Sequence, residues 1–232
     1  MLKSVLFIAG IILLLSNVHA NSNFRKEDKA PKMFSSVPKA HLNKHGKQFV
    51  KNYIKKSGSN LTVIKSKSVI PFNIIDSIFS INGLPLELKY LAVVESELKS
   101  SAKSRVGAVG PWQLMPGTAR ILGLKVTRRQ DDRKNYYKST HAAAIYLKDL
   151  YHEFNDWFLV LAAYNGGPGP VYTAIRKSGS RNFWALQGYL PRESRDHVKK
   201  FIATRYFFEG SKKTPQLGVT AMQTGSGSKN IL

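Results

Sequence analysis

The stretch Gly83-Leu84-Pro85-Leu86-Glu87-Leu88-Lys89-Tyr90-Leu91-Ala92-Val93-Val94-Glu95-Ser96-Glu97-Leu98 decides how the chain is read. Gly83 and Pro85 mark a helix start, since proline is tolerated in a first turn where its missing N–H has no intrahelical partner. Leu88, Leu91 and Ala92 then recur at three- and four-residue spacing, which places them on one helical face. Glu95 falls on that same apolar face, whereas Glu97 lies roughly 200° further round and faces solvent. An unpaired carboxylate turned toward a core tends to hold its proton. That is the state a general acid needs at neutral pH. A structural glutamate paired with Lys or Arg has the same spacing, and the helical pattern is compatible with both readings.

Outward from this helix the pattern stays helical. Leu42, Phe49, Val50, Tyr53 and Ile54 share one face of a segment starting near His41, with Lys44, Lys47, Lys51 and Lys55 mostly on the others. Such a segment either lies on a membrane surface or packs on a core with its basic face solvated; packing is the commoner arrangement. A second helix opens at Pro71, carries Ile74, Ile75, Ile78 and Phe79, and closes at Gly83. The helix from Pro85 runs to about Leu98, residues 99–111 read as a loop, and a short helix spans Pro116 to Gly123. Ser139-Thr140 is placed as the cap of a helix carrying Ala142, Ala143, Ile145, Tyr146 and Leu150. Trp157–Tyr164, Val171–Lys177 and Arg192–Phe208 complete the set. No stretch alternates with the period of a strand, so the fold class is all-α, one domain over 41–210.

The composition bounds what this domain does. The 232 residues hold 36 Lys+Arg against 14 Asp+Glu, a net charge of +22, and no cysteine. A disulfide framework, a Cys-ligated zinc site and a Cys nucleophile are excluded. Such a charge calls for an anionic partner. Lys3, an apolar run of about eleven residues from Val5 and the Val18-His19-Ala20 end have the three parts of a secretory signal peptide over 1–20. The run is shorter than the ~20 residues needed to span a bilayer. An exported protein, periplasmic or peripheral to the envelope, is expected, and intracellular nucleic acid is then a poor partner. Residues 21–40 read as a basic flexible arm and 211–232 as a disordered tail. Residues 21–69 alone carry a net +10.

The remaining chemistry is sparse. The six histidines show no metal-ligand spacing, and no serine sits in a nucleophile elbow. No metal and no cofactor are expected. Gly107-Ala108-Val109-Gly110-Pro111-Trp112-Gln113-Leu114-Met115-Pro116 combines a glycine pair with an amide and an indole. Gln113 can exchange hydrogen bonds with sugar hydroxyls, and Trp112 either stacks on a pyranose or belongs to the core. Ala162-Ala163-Tyr164-Asn165-Gly166-Gly167-Pro168-Gly169 ends a helix in a glycine-rich turn. Glycoside hydrolysis ordinarily uses two carboxylates. Glu193, opening the last long helix, is the second candidate, with helix-dipole stabilisation as its alternative role.

Taken in order, Gly83–Leu88 with Val94-Glu95-Ser96, then Gly107–Pro116, Ala162–Gly169 and Leu190-Pro191-Arg192-Glu193-Ser194, resemble the lytic murein transglycosylases. The nearest branch is the D-type membrane-bound one of glycoside hydrolase family 23. The resemblance covers about 41–210 and implies a lysozyme-like helical domain, similar to goose-type lysozyme. It implies cleavage of the MurNAc–GlcNAc bond of peptidoglycan glycan strands to 1,6-anhydroMurNAc ends, with Glu95 as sole acid/base. Ser96 would orient that glutamate or bind the sugar. Gln113, Met115, Tyr164 and Asn165 match positions lining the glycan cleft, and Glu193 matches the Glu of the late Leu-Pro-x-Glu-Thr motif. Ser194 stands where Thr is usual, and His197 where Tyr is usual. Lysin-motif repeats and a lipid-anchoring cysteine are not found in these residues, so wall affinity is expected from charge, through contact with anionic envelope polymers or lipids. A monomer is expected. A hydrolytic muramidase of the same fold, and a non-catalytic cationic wall-binding protein, are the two alternatives.

Overall fold

The computed structural model describes residues 34–210; the segments read as signal peptide and C-terminal tail, and most of the basic arm, lie outside the described residues. Nine α-helices and three short 3-10 turns make up the described part. No strand occurs among the described residues, only isolated bridges such as Val109 to Leu114.

Helix α1 spans Lys44–Lys67, with Asn43 accepting from the Gly46 N–H at its start. It packs along the last helix, α9 (Arg192–Glu209). Of the apolar stripe read near its N-terminus only Val50 is buried; Leu61 and Ile64 continue the buried line about three and four turns later. Packing rather than membrane contact therefore accounts for the helix. Phe49 and Tyr53 stack on its flank with centroids 6.5 Å apart. Helix α2, Val69–Ile81, begins two residues before Pro71, which occupies the first turn and loses no hydrogen bond there.

The segment from Pro85 divides in two. A 3-10 turn, Leu86–Leu88, leads into α3, Lys89–Ser96. Helix α3 ends where Glu97 and Leu98 take left-handed φ of 56° and 63°. Two consecutive non-glycine residues there are unusual, and they turn the chain sharply into the loop 99–115. Helix α4, Pro116–Ile121, follows it.

Helix α5 runs from Tyr136 to Phe154 and is capped by Asn135, whose side chain accepts from Lys138 N. The cap expected at Ser139-Thr140 is thus misplaced by one turn. Both residues are buried inside the helix, and Ser139 Oγ donates to Asn135 O at 2.6 Å. Helix α6, Trp157–Gly166, is apolar around most of its circumference, buried from Trp157 through Ala163, and capped by Asp156. A helix hydrophobic on all sides belongs at the centre of a domain. Helices α5, α7 (Pro168–Ser178) and α9 pack against it. The short helix α8, Phe183–Leu186, follows α7.

The flexible arm read over 21–40 ends earlier than expected. Val37 is buried, and Phe34 sits edge-on to Tyr151 at 5.2 Å and to Trp157 at 6.1 Å. Trp157 Nε1 donates to Ser35 O at 2.7 Å, and Arg205 Nη1 to Val37 O at 2.7 Å. Residues 34–40 are held against the core by two aromatic rings and these two donors. The polar composition of the segment concealed its two apolar anchors, buried Val37 and half-buried Phe34.

Candidate active site

Glu95 sits in the last turn of α3, beneath the loop that leaves that helix. Its backbone position follows from the apolar face of α3, where Leu88, Leu91 and Ala92 are fully buried. Its side chain keeps only 14% of its exposure, and its carboxylate Oε1 lies 2.9 Å from His197 Nε2 of α9. His197 is itself buried. Among the described residues, then, the hydrogen-bond partner of Glu95 is an imidazole and not the Lys or Arg of the structural reading.

Glu97 has the opposite surroundings. It accepts from Asn60 Nδ2 at 2.8 Å and from Lys99 Nζ at 2.5 Å. The hydrogen bond from Lys99 is the main reason its carboxyl is held below the ordinary range; partial burial opposes this and Asn60 supports it.

A frame of hydrogen bonds fixes the loop over Glu95. Ser96 Oγ donates toward Pro111 O at 2.8 Å and is also 3.1 Å from Ala92 O. Its buried hydroxyl therefore ties the loop to α3. Tyr164 of α6 donates to Trp112 O at 2.7 Å. Burial, and secondarily the charge of Glu95, hold the Tyr164 phenol well above its ordinary value. Gln113 adopts a left-handed φ of 46°, and its Nε2 donates to Gly110 O at 2.9 Å. Gly110 is required: at φ +87°, a Cβ would lie 1.9 Å from Arg133 O. Trp112 is fully buried, tilted against Phe79 at 5.5 Å, with Nε1 donating to Thr140 Oγ1 at 2.9 Å. It belongs to the core and has no face left for a sugar.

The remaining residues singled out from the sequence belong to three other helices or their starts. Met115, 42% exposed, stands at the start of α4. Asn165 is half-buried in the last turn of α6. Gly166, next to it, brings α6 against α9 so closely that an added Cβ would stand 2.4 Å from Ser194 Oγ. Glu193 is exposed in the first turn of α9, and the α9 residue that meets Glu95 is His197, one turn further on.

Two features of the site had not been read as such. Arg133 is a buried clamp: Nη1 donates to Gly107 O at 2.9 Å and Leu114 O at 3.0 Å, while Nη2 pairs with Asp131 at 2.8 Å. Tyr136 donates to Leu98 O from the first turn of α5. A fully charged run such as Asp131-Asp132-Arg133-Lys134 looks solvated in sequence, and only its contacts reveal the clamp. His197 had a legible signal. Ser194, His197, Phe201, Thr204 and Phe208 recur at three and four residues and form the buried stripe of α9.

Residues 80–187 match the family model described as Transglycosylase SLT domain. The chain is 39% identical over 136 residues to membrane-bound lytic murein transglycosylase D of Escherichia coli, covering 56% of this chain and 30% of that protein. It is 33% identical over 135 residues to the soluble lytic murein transglycosylase of the same species, covering 53% and 21%. The chain thus spans under a third of the length of either relative. Among solved structures it resembles an inactive mutant of the lytic transglycosylase Slt from Pseudomonas aeruginosa, with a TM-score of 0.51 and 25% identity over 59% of this chain and 23% of that one. The 70 kDa soluble lytic transglycosylase of Escherichia coli gives a TM-score of 0.52 and 26% identity over 59% and 24%. The all-α, lysozyme-like architecture expected from the sequence is the one these neighbours share.

Proposed function

We propose that this chain is an exported peptidoglycan lytic transglycosylase that cleaves the MurNAc–GlcNAc linkage and leaves 1,6-anhydroMurNAc ends. The observation that carries the proposal is Glu95, a largely buried carboxylate on α3 whose partner is His197, within an SLT domain. Protonated Glu95 gives its proton to the bridging oxygen, and positive charge grows at the anomeric carbon of MurNAc. The resulting carboxylate takes the proton from that sugar's own C6 hydroxyl, which closes onto the anomeric carbon. An internal nucleophile has a very large effective concentration, so no water and no second carboxylate are needed. The exposed position of Glu193 agrees with a one-acid mechanism. Glu193 serves as a glycan contact at the rim, together with Met115, Asn165 and the half-buried amide of Gln113. Ser96 and Tyr164 act through the loop they brace.

The basic residues provide attachment. Lys44, Lys47 and Lys51 are exposed on α1, and with the residues before it they attract anionic envelope polymers. No helix of the described residues is long and apolar enough to cross a membrane. The test is digestion of purified peptidoglycan with product analysis by mass spectrometry. Anhydro ends are expected from the wild type, and Glu95→Gln is expected to lower the rate by at least about 100-fold without loss of fold. Reducing ends would turn the reading to a muramidase; turnover in neither form would turn it to a wall-binding protein.

A further inference from the structure

We propose that His197 is a positioning residue: a neutral imidazole whose Nε2–H holds Glu95 Oε1 and so assigns the transferable proton to Oε2. The proposal rests on the reading of Glu95 as the acid/base. His197 Nε2 and Glu95 Oε1 are 2.9 Å apart, with both side chains largely withdrawn from solvent. The other ring nitrogen, Nδ1, is buried and has no hydrogen-bond partner among the described residues. The nearest acid in sequence, Asp196, is turned to Arg192 at 3.4 Å and Lys199 at 3.9 Å.

The unpartnered Nδ1 decides the protonation pattern of the pair. An imidazolium would bury a charge and point a second N–H at no acceptor. The neutral tautomer protonated on Nδ1 would strand a buried donor, and orphaned N–H groups are rarer in proteins than underused acceptors. The tautomer protonated on Nε2 leaves only a lone pair unused, and it alone donates toward Glu95. Two hydrogens cannot occupy the same Nε2–Oε1 line, so the acidic proton of Glu95 belongs on Oε2. Oε1 then keeps its hydrogen bond whether Glu95 is an acid or a carboxylate. The carboxyl plane need not turn between giving its first proton and taking the second, and a carboxyl held in one orientation is what efficient proton transfer requires.

Tyr164 does not substitute for this contact, because its hydroxyl donates to Trp112 O. Where the resemblance leads one to expect a tyrosine at 197, a phenol O–H would supply the same single donor. The requirement is thus one donor at that place, which His197 meets through one of its two nitrogens.

The experiment uses the full chain in four forms, wild type, Glu95→Gln, His197→Phe and His197→Tyr, with kinetics on soluble glycan fragments and 15N NMR of histidine-labelled protein. Subtraction of the His197→Phe spectrum identifies the His197 signals among the six histidines. The expected spectrum shows Nε2 protonated and Nδ1 bare at neutral pH. His197→Phe is expected to lower kcat on the order of 10- to 100-fold, the range for partners that orient a reacting group, with KM changed less than twofold. His197→Tyr is expected to recover most of that loss. A protonated Nδ1 at neutral pH, or wild-type kcat in His197→Phe, overturns the proposal. Should His197→Phe fail to fold, the tautomer is read from the wild-type spectrum alone, assigned with His197→Tyr. Activity in Glu95→Gln would instead defeat the reading of the reaction, and an inactive Glu95→Gln beside a fully active His197→Phe would defeat only the positioning role.

Discussion

Around Glu95 the polar side chains are tied to the backbone; along the outer face of α1 they stand in water. Ser96, Gln113, Arg133, Tyr136 and Tyr164 each donate to a carbonyl of the 92–115 segment. Lys44, Lys47, Lys51, Lys55 and Lys56 are exposed on successive turns. The two regions use polarity for different ends. A donor in a region of low dielectric must find an acceptor, so each such bond specifies where the loop lies. A lysine in water specifies no geometry, but its charge adds to a field that reaches about 8–10 Å at physiological salt. The first region fixes a geometry, and the second carries a charge that the proposed function assigns to attachment.

The largest test of this contrast is Arg133→Ala. It strands the Gly107 carbonyl, leaves Leu114 O with only the Val109 N–H and removes the ion pair of Asp131, and should lower stability by about 3 kcal/mol. Thermal denaturation followed by circular dichroism would show it as a fall in Tm of several degrees. The clamp also has a pH signature. Hydrogen bonds from Arg133 are the main cause that holds the Asp131 carboxyl below the usual aspartate range. A lowered folded-state pKa contributes stability that is fully present above the unfolded value and is lost as pH falls through the folded one. Arg133→Ala should therefore flatten the decline of Tm below about pH 4; an unchanged acid profile would show that the clamp is not coupled to folding.

Thr140→Val comes next. It keeps the shape of a buried residue and removes the acceptor of Trp112 Nε1, so about 2 kcal/mol should be lost in urea denaturation. No loss would mean that the indole finds another partner and that the loop is less tightly specified than its bonds indicate. The smallest effect on folding is expected for the combined Lys44→Gln, Lys47→Gln and Lys51→Gln variant, within about 0.5 kcal/mol per site. Its binding to purified sacculi should weaken, most clearly at low salt, while turnover of soluble fragments stays unchanged. Salt-independent sedimentation of the wild type would break the comparison from this side.

Much of the fold was legible because helical periodicity is a local property. The apolar faces of α2 and α3 follow from spacing alone, and so does the placement of Glu95 among Leu88, Leu91 and Ala92. The boundaries that failed did so where a side chain had two uses. Ser139 and Thr140 are good capping residues, but Asn135 lies one turn earlier and caps the helix. Thr140 serves Trp112, 28 residues away in sequence. Phe34 and Val37 looked like part of a polar arm, because nothing local shows that Tyr151, Trp157 and Arg205 will receive them.

The sequence by itself determined an all-helical domain, a strong positive charge and one carboxylate on a face where carboxylates are costly. It also contained the stretch, 80–187, that is similar to the Transglycosylase SLT domain. Which partner that carboxylate has was decided only in three dimensions. Glu95 and His197 are separated by 102 positions and meet because α3 and α9 pack together. Packing also decided that Ser96 faces the loop, that Trp112 is core, and that Arg133 is a clamp rather than a surface charge. Periodicity reports which way a residue points from its own helix; what it meets there depends on how helices far apart in the chain come together.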